Sequence, residues 1–277
     1  MTGAEALATA VPQLQAAGVE GAARDARLLL AHALDLAPDR LILILTDPLP
    51  PAALARFHAN LAERARRRPL SQIIGQRMFW GRMFRITEDV LDPRPETETL
   101  VAAALRLRFA SVLDLGTGSG AILLTLLAER PDATGLGTDV SPAAIDVAQE
   151  NARLLGVPRA RFRQSDWFAG VEGRFDLIVS NPPYIAASEM ASLSPEVRDW
   201  EPHVALTPGG DGLNPCRSIA GGVLAHLAPG GTLMVEIGPA QGQAVKAMFR
   251  AAGLMVVTTL TDLDRRDRVV QGRAPQG

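Results

Sequence analysis

The stretch SVLDLGTGSGAILLTLLAE, residues 111–129, reads as a strand, a glycine loop and a helix in immediate succession. Val112, Leu113 and Leu115 form a short apolar run with no polar alternation, as expected for a strand buried on both faces of a parallel sheet. Gly116, Gly118 and Gly120 let the backbone turn sharply, and the helix that follows presents its free N–H groups at its start. Working outward, TGLGTDVSPAAIDVAQENARLLG (134–156) repeats the strand-then-helix arrangement. FDLIVSNPPY (175–184) and GGTLMVEIG (230–238) are further buried strands with a helix between them, and RDRVVQGR (266–273) closes the series as a last strand. This rhythm predicts an α/β architecture, a doubly wound and mostly parallel sheet.

The region before residue 91 follows other patterns. Residues 1 to about 70 predict an all-helical segment. Thr2 and Glu5 have capping-box spacing, and Leu7, Val11 and Leu14 follow at helical intervals. A second helix spans Ala22 to Leu34, with Leu28, Leu29, Ala33 and Leu34 as its buried side. A third follows Pro50-Pro51 with Leu54, Phe57 and Leu61 on one face, and ends in Arg64, Arg66, Arg67 and Arg68. That basic run suits a solvated helix C-terminus, favoured by the macrodipole; the competing reading is a patch facing an acidic partner. Residues 73–90, IIGQRMFWGRMFRITEDV, alternate apolar and polar around Gly81 and predict a β-hairpin linker. The division expected is therefore 1–72 helical, 73–90 hairpin and 91–277 sheet domain. The terminal RAPQG is expected to fray.

Composition bounds the rest. With 277 residues, 28 Lys and Arg against 30 Asp and Glu, and a net charge of −2, the chain has no global basic field for nucleic acid. The single cysteine, Cys216, excludes an internal disulfide and a multi-cysteine metal site, so no metal is expected. The N-terminus lacks a basic n-region and no apolar run reaches about 18 residues, which predicts a cytoplasmic protein without a membrane segment.

Four constellations carry chemistry. The first is the loop Gly116, Thr117, Gly118, Ser119, Gly120. Its third glycine comes one residue earlier than in a dinucleotide fingerprint, and the preceding Asp114 would repel a diphosphate while serving an ammonium. Both features favour S-adenosylmethionine over a pyrophosphate. Asp139, at the end of the next strand, can accept hydrogen bonds from ribose hydroxyls. At Asp166-Trp167 a carboxylate can accept from an adenine amino group and an indole can cover the ring; Trp167 reads equally well as packing. The fourth is Asn181-Pro182-Pro183-Tyr184, which holds the only tyrosine of the chain. It follows a buried strand at the end where open α/β sheets bind ligands. The Asn181 oxygen and the Pro182 carbonyl can each accept an N–H of a planar amino group, and the Tyr184 ring can stack on its plane. His203, His226, Trp80 and Trp200 read as structural.

Together these residues resemble a class I S-adenosylmethionine-dependent methyltransferase that acts on amide or exocyclic amine nitrogen. Asn-Pro-Pro-Tyr occurs in both adenine-N6 DNA methyltransferases and protein-glutamine-N5 methyltransferases. The stretches at 69–101 (PLSQIIGQRMFWGRMFRITEDVLDPRPETETLV), 201–206 (EPHVAL), 209–213 (GGDGL) and 227–238 (LAPGGTLMVEIG) resemble the second group, the HemK/PrmC family of peptide chain release factor glutamine methyltransferases. The resemblance implies a Rossmann-like, seven-stranded methyltransferase domain with an antiparallel strand in its last pair, a small N-terminal helical domain for substrate recognition and a β-hairpin linker. It also implies that Gly116 to Gly120, Asp139, Asp166, Trp167 and Asn181 bind S-adenosylmethionine. Asn181 to Tyr184 would hold the glutamine of a release factor Gly-Gly-Gln loop, with Asn181, Pro182 and Tyr184 catalytic. Pro93 to Glu98 would line the mouth, Arg94 and Glu96 contacting substrate. Asp92 departs from the apolar residue usual before that proline. A DNA adenine methyltransferase is the alternative, weakened by the lack of a basic recognition module. A nicotinamide oxidoreductase conflicts with the glycine spacing, and a binding module for the translation apparatus would leave Asn181 without a role. Class I release factors are the expected partner, with no nucleic acid or membrane contact and a monomeric state.

Overall fold

The computed structural model describes residues 1–276. By internal packing the chain divides into two compact units, Met1–Gln76 with Ser194–Trp200, and Arg77–Leu193 with Glu201 onward.

The first unit is helical. Helices α1 (Gly3–Ala16), α2 (Ala22–Ala33), α3 (Pro51–Ala65) and α4 (Leu70–Ile74) surround one apolar core, with a 3-10 helix at Pro38–Ile44. The expected capping box forms: Glu5 N–H donates to Thr2 Oγ1 at 3.3 Å and Thr2 N–H donates to Glu5 at 2.8 Å. The buried side of α1 runs through Ala6, Ala10 and Leu14, and Leu7 and Val11 flank it half-buried. Ile73 and Ile74, expected in the hairpin, end α4 instead, because Gly75 adopts φ 79° and stops the helix there.

The arginine run is solvated only in part: the Arg66 side chain is 68% exposed, whereas its neighbours are paired within the helical unit. Arg64 is buried and donates to Asp25 at 2.8 Å and to Glu196 at 3.1 Å. Arg67 grips both oxygens of Glu196 at 2.6 Å. The Arg66 and Arg68 guanidinium groups lie 5.7 and 5.5 Å from the Trp200 ring centre. The segment Ser194–Trp200 is thus tied into the helical unit by charge, and it contains the short helix α8 (Pro195–Arg198).

In the second unit, β1 (Gln76–Phe79) and β2 (Arg82–Arg85) are joined by Trp80 and Gly81, both at positive φ, the geometry of a type I′ hairpin turn. Phe79 and Phe84 meet edge-on at 6.1 Å and join the sheet-domain core, so the hairpin is part of that core rather than a free linker. Seven further strands form the main sheet: β3 (Ser111–Leu115), β4 (Thr134–Asp139), β5 (Ala160–Gln164), β6 (Phe175–Ser180), β7 (Leu227–Glu236), β8 (Met255–Thr261) and β9 (Asp267–Arg273). Their order is β5-β4-β3-β6-β7-β9-β8, with β9 antiparallel to β7 and to β8. Side-chain alternation splits the core between the two faces. Val112, Leu177, Val179 and Met234 face one way with α5 (Glu98–Ala104), α6 (Ala121–Glu129) and α7 (Pro142–Leu154). Leu113, Ile178, Leu233 and Val235 face the other with α9 (His203–Leu206) preceding α10 (Asn214–His226) and α11 (Gly242–Ala251). The tail does not fray at once: Ala274 N–H donates to Gly231 O, and Pro275 O accepts from Gly230 N–H. Residue 277, the end of the stretch expected to fray, lies outside the described residues.

The strand order reverses between β3 and β6, which places the topological switch point there. Leu115 and Ser180 are register partners, and Ser180 Oγ donates to Leu115 O at 2.7 Å. The glycine loop after β3 and the Asn-Pro-Pro-Tyr segment after β6 therefore leave the sheet side by side.

Candidate active site

At the switch point lies a cavity of about 390 Å³, within the usual range for a small-molecule site. Gly116, Thr117, Gly118 and Ser119 form one wall. Gly116 and Gly118 take φ 68° and 53°, and a side chain on either would meet no protein atom within 4 Å. Their backbone thus faces open space. Gly120 differs: at φ 80° it starts α6, a Cβ there would press on Leu124 at 3.0 Å, and it does not line the cavity.

The loop is held from below. Thr117 N–H donates to Thr138 O, and Thr117 Oγ1 donates to Asp114 Oδ2 at 2.7 Å. Burial pushes the Asp114 carboxyl up to about 7 against that hydrogen bond. Asp114 is buried beneath the loop rather than on the cavity wall. Asp139 lines the cavity, accepting from Gly118 N–H at 2.9 Å and Ser141 N–H at 3.0 Å. Burial raises its pKa, and those two N–H groups oppose the rise. Two residues that the sequence did not single out complete the support. Asn151 on α7 donates to Ser119 O and to Arg85 O, and accepts from Arg85 N–H, joining loop and hairpin. Ser165 accepts from Gly170 N–H and donates to Trp167 O, holding Trp167 at φ 48° on the cavity wall beside the exposed Asp166.

The other end of the cavity is built from Asn181 and Pro183, with Arg94 and Thr97 opposite in the chain. Asn181 Nδ2 donates to Thr97 Oγ1 at 3.2 Å. Pro182 is buried and Tyr184 half-buried, both outside the lining. The Tyr184 hydroxyl lies 3.5 Å from Glu236 Oε1, and burial pushes the phenol up to about 12. Arg94 donates to both oxygens of the buried Glu201 at 2.7 and 2.8 Å. Burial nevertheless raises Glu201 to about 7, with Arg94 pulling the other way. Glu96 is exposed and stands outside the cavity. Asp92, the departure noted above, is buried with Oδ2 3.7 Å from Arg77 on β1, so a charge on the hairpin accommodates it.

Thr97, Glu201 and Glu236 were missed as individual residues, although each lies in a stretch that stood out. A lone acid inside the apolar GGTLMVEIG was the available signal for Glu236. Cys216 is buried and its thiol is raised to about 12 by burial, an inert core position. His226 stacks on Phe168 at 4.7 Å, away from the cavity. Among the described residues no helix is long and apolar enough to cross a membrane, and no group of three or more His, Cys, Asp or Glu is placed to hold a metal ion.

The comparisons with known proteins agree with this geometry. Residues 5–75 match the PrmC N-terminal domain, and residues 89–196 match the methyltransferase small domain. A release factor glutamine methyltransferase of Cereibacter sphaeroides is 63% identical over 276 residues, covering 99% of each chain. Another, of Rhodospirillum rubrum, is 46% identical and covers 94% of this chain and 82% of its own. Among solved structures, a methyltransferase from Pyrococcus furiosus superposes with a TM-score of 0.55 at 17% identity, over 71% of this chain and 91% of its own, a likeness of fold. With its helical N-terminal unit, its seven-stranded sheet and the cavity at the switch point, the chain belongs to the release factor glutamine methyltransferase family.

Proposed function

We propose that this protein transfers a methyl group from S-adenosylmethionine to the side-chain amide nitrogen of the glutamine in the Gly-Gly-Gln motif of bacterial class I release factors. One observation carries the reading: Asn181 lines the same cavity as the glycine loop and Asp139, with its Nδ2 already given to Thr97. Its Oδ1 is then the atom left to accept an N–H from an incoming amide.

The residues fit the cofactor. Gly116 and Gly118 provide a wall that any Cβ would fill. A carboxylate has about four lone-pair sites; Asp139 spends two on backbone N–H groups, leaving two for ribose hydroxyls. Trp167 and Asp166 suit the adenine. S-Adenosylmethionine supplies a methyl already activated as an electrophile.

The protein's task is to make a poor nucleophile available. An amide nitrogen is delocalised into its carbonyl, so orientation is the main lever, and well-placed reactants gain on the order of 7–11 kcal/mol. The acceptor at Asn181 Oδ1 holds the amino group and stabilises the positive charge that grows on it. Pro183, on the cavity wall, confines its plane. As the C–N bond forms, the nitrogen becomes acidic and releases one proton to solvent; among the described residues no histidine lines the cavity. On this reading the enzyme works as a monomer in the bacterial cytoplasm, with the release factor as partner and no nucleic acid contact.

The test is mass spectrometry of a class I release factor after incubation with enzyme and S-adenosylmethionine, with a DNA duplex in parallel. One added methyl on the Gly-Gly-Gln glutamine is expected, and Asn181→Ala should abolish it while S-adenosylhomocysteine still binds in calorimetry. Methylated adenine with an unmodified release factor overturns the reading.

A further inference from the structure

We propose, resting on the reading above, that Gln241 is a positioning residue whose side-chain amide fixes the Asn181-Pro182-Pro183-Tyr184 segment against the end of β7. Pro182 and Pro183 carry no N–H, so the middle of the segment has no backbone donor with which to hold itself in place. Its exit is held from outside. Gln241 Nε2 donates to Tyr184 O at 2.9 Å, and Gln241 Oε1 accepts from Gly238 N–H at 3.0 Å, just beyond β7. Both partners are backbone groups of fixed polarity, so the amide has one orientation that satisfies them. Gln241 stands at the N-cap of α11, where a side chain ordinarily accepts from the helix's own first N–H groups. It makes no such cap bond and reaches across to the other chain segment instead. Strands β6 and β7 are parallel neighbours with Ser180 opposite Val235. One amide thus ties together the chain where it leaves both. The backbone crowds in around the same residue: a Cβ on Gly212 would collide with Tyr184 O, and one on Gly238 would stand 3.5 Å from the Tyr184 ring.

The position calls for an amide, which accepts with one atom and donates with the other. Gln241→Leu removes both bonds at similar volume. Gln241→Glu keeps the shape and the acceptor for Gly238 N–H, but sets a carboxylate oxygen against Tyr184 O, and two acceptors repel. Protonation of that carboxyl restores a donor. The surroundings favour protonation: Glu236 ends β7, the Asp267 carboxyl of β9 lies where a Cβ on Gly242 would be, and the Tyr184 carbonyl points at the site. The cation beside them, Arg268, is paired with Asp262 at 3.1 Å.

The experiment measures kcat and KM for methylation of an intact class I release factor, with S-adenosylhomocysteine affinity and stoichiometry by calorimetry. The proteins are the wild type, Gln241→Leu, Gln241→Glu and Gly135→Ala. Stoichiometry counts the folded fraction, and Gly135→Ala, a packing change away from the cavity, reports what lost stability alone does. Per folded protein, both Gln241 variants should lose kcat by roughly 10²-fold, the size expected when a reacting group is misplaced by about 1 Å. Their S-adenosylhomocysteine affinity should be unchanged, and Gly135→Ala should keep the wild-type kcat. Relative to the wild type at the same pH, Gln241→Glu should recover between about pH 8 and about pH 6 as its carboxyl protonates, and Gln241→Leu should not. Wild-type kcat in the Gln241 variants, a loss matched by Gly135→Ala or by cofactor affinity, or a Gln241→Glu deficit that does not narrow overturns the proposal and leaves the functional reading standing. The pH profile of Gln241→Glu decides even where Gln241→Leu does not fold. If the wild type itself leaves the release factor unmethylated, the functional reading falls and the proposal with it.

Discussion

Asp114, Glu201 and Glu236 are all buried in the sheet unit, and burial pushes each carboxyl up to about 7. A carboxyl whose pKa is higher folded than unfolded binds protons more tightly in the native state. Its contribution to stability is complete below the unfolded pKa and is lost as pH rises through the folded one. For Asp114 that window runs from 3.8 to about 7. Asp211, held low at about 2 by Arg217, changes only in more acidic solution and leaves that window untouched. The wild type should therefore lose stability between about pH 4 and about pH 7. Asp114→Asn, which can still accept from Thr117 but does not titrate, should lose less, by up to roughly 4 kcal/mol at one unit per 1.36 kcal/mol. Urea midpoints of both proteins across that range check this; parallel slopes overturn it. The residues legible in the sequence are those whose chemistry is local: the glycine loop, Asp139 and Asn181 declare themselves by type and by place after a strand. Thr97, Glu201 and Glu236 act through partners 84, 107 and 52 residues away, and no local pattern reports such pairings.

Strand β4 shows how an element can be both legible and incompletely read. Its position and direction follow from the strand-then-helix rhythm, yet TGLGTD carries two glycines that weaken a strand by propensity. The structure supplies the reason. A Cβ on Gly135 would stand 2.5 Å from Leu123 and 2.9 Å from Val112, so α6 lies against the sheet at a distance only glycine allows. Gly135→Ala should destabilise the protein by about 1–3 kcal/mol through overpacking and leave S-adenosylhomocysteine affinity little changed in the folded fraction. Gly118→Ala should do the opposite. Its Cβ meets no protein atom within 4 Å but enters the cavity, so thermal stability should fall slightly and calorimetric affinity substantially. Equal effects of the two on affinity would contradict the division of labour between turn and packing glycines. The hairpin was legible as a hairpin, from Gly81 and the alternation around it. Alternation shows that Phe79 and Phe84 share a face but not what that face covers.

At the scale of the whole chain, the two compact units are not consecutive in sequence. The chain leaves the sheet unit at Leu193, contributes Ser194–Trp200 to the helical unit, and returns at Glu201, the partner of Arg94. The base of this excursion is pinned within the sheet unit, where Ile185 N–H donates to Leu206 O and Thr207 Oγ1 donates to Ile185 O. Immediately before it lies Asn181-Pro182-Pro183-Tyr184, so the segment that follows this motif is anchored at both of its limits. The charges were visible in the sequence as an arginine run and an isolated Glu196, but 129 residues separate Arg67 from Glu196 and composition could not join them. Burial works against the Glu196 charge, yet the Arg67 and Arg64 guanidinium groups hold its pKa below the usual value, so it is ionised throughout the neutral range. Removing it strands Arg64, whose side chain is only 7% exposed, with Asp25 as its remaining carboxylate. Breaking a fully buried pair costs about 3–5 kcal/mol; Glu196 and Arg67 are partly exposed at 17% and 23%, which lowers the expectation for Glu196→Ala to about 2 kcal/mol. A double-mutant cycle with Arg67→Ala, read by urea unfolding, should give a favourable coupling on the order of 1 kcal/mol. A coupling of zero would mean that the segment is held by the Trp200 contacts and the Gln72 bond to Trp200 O at 3.0 Å instead.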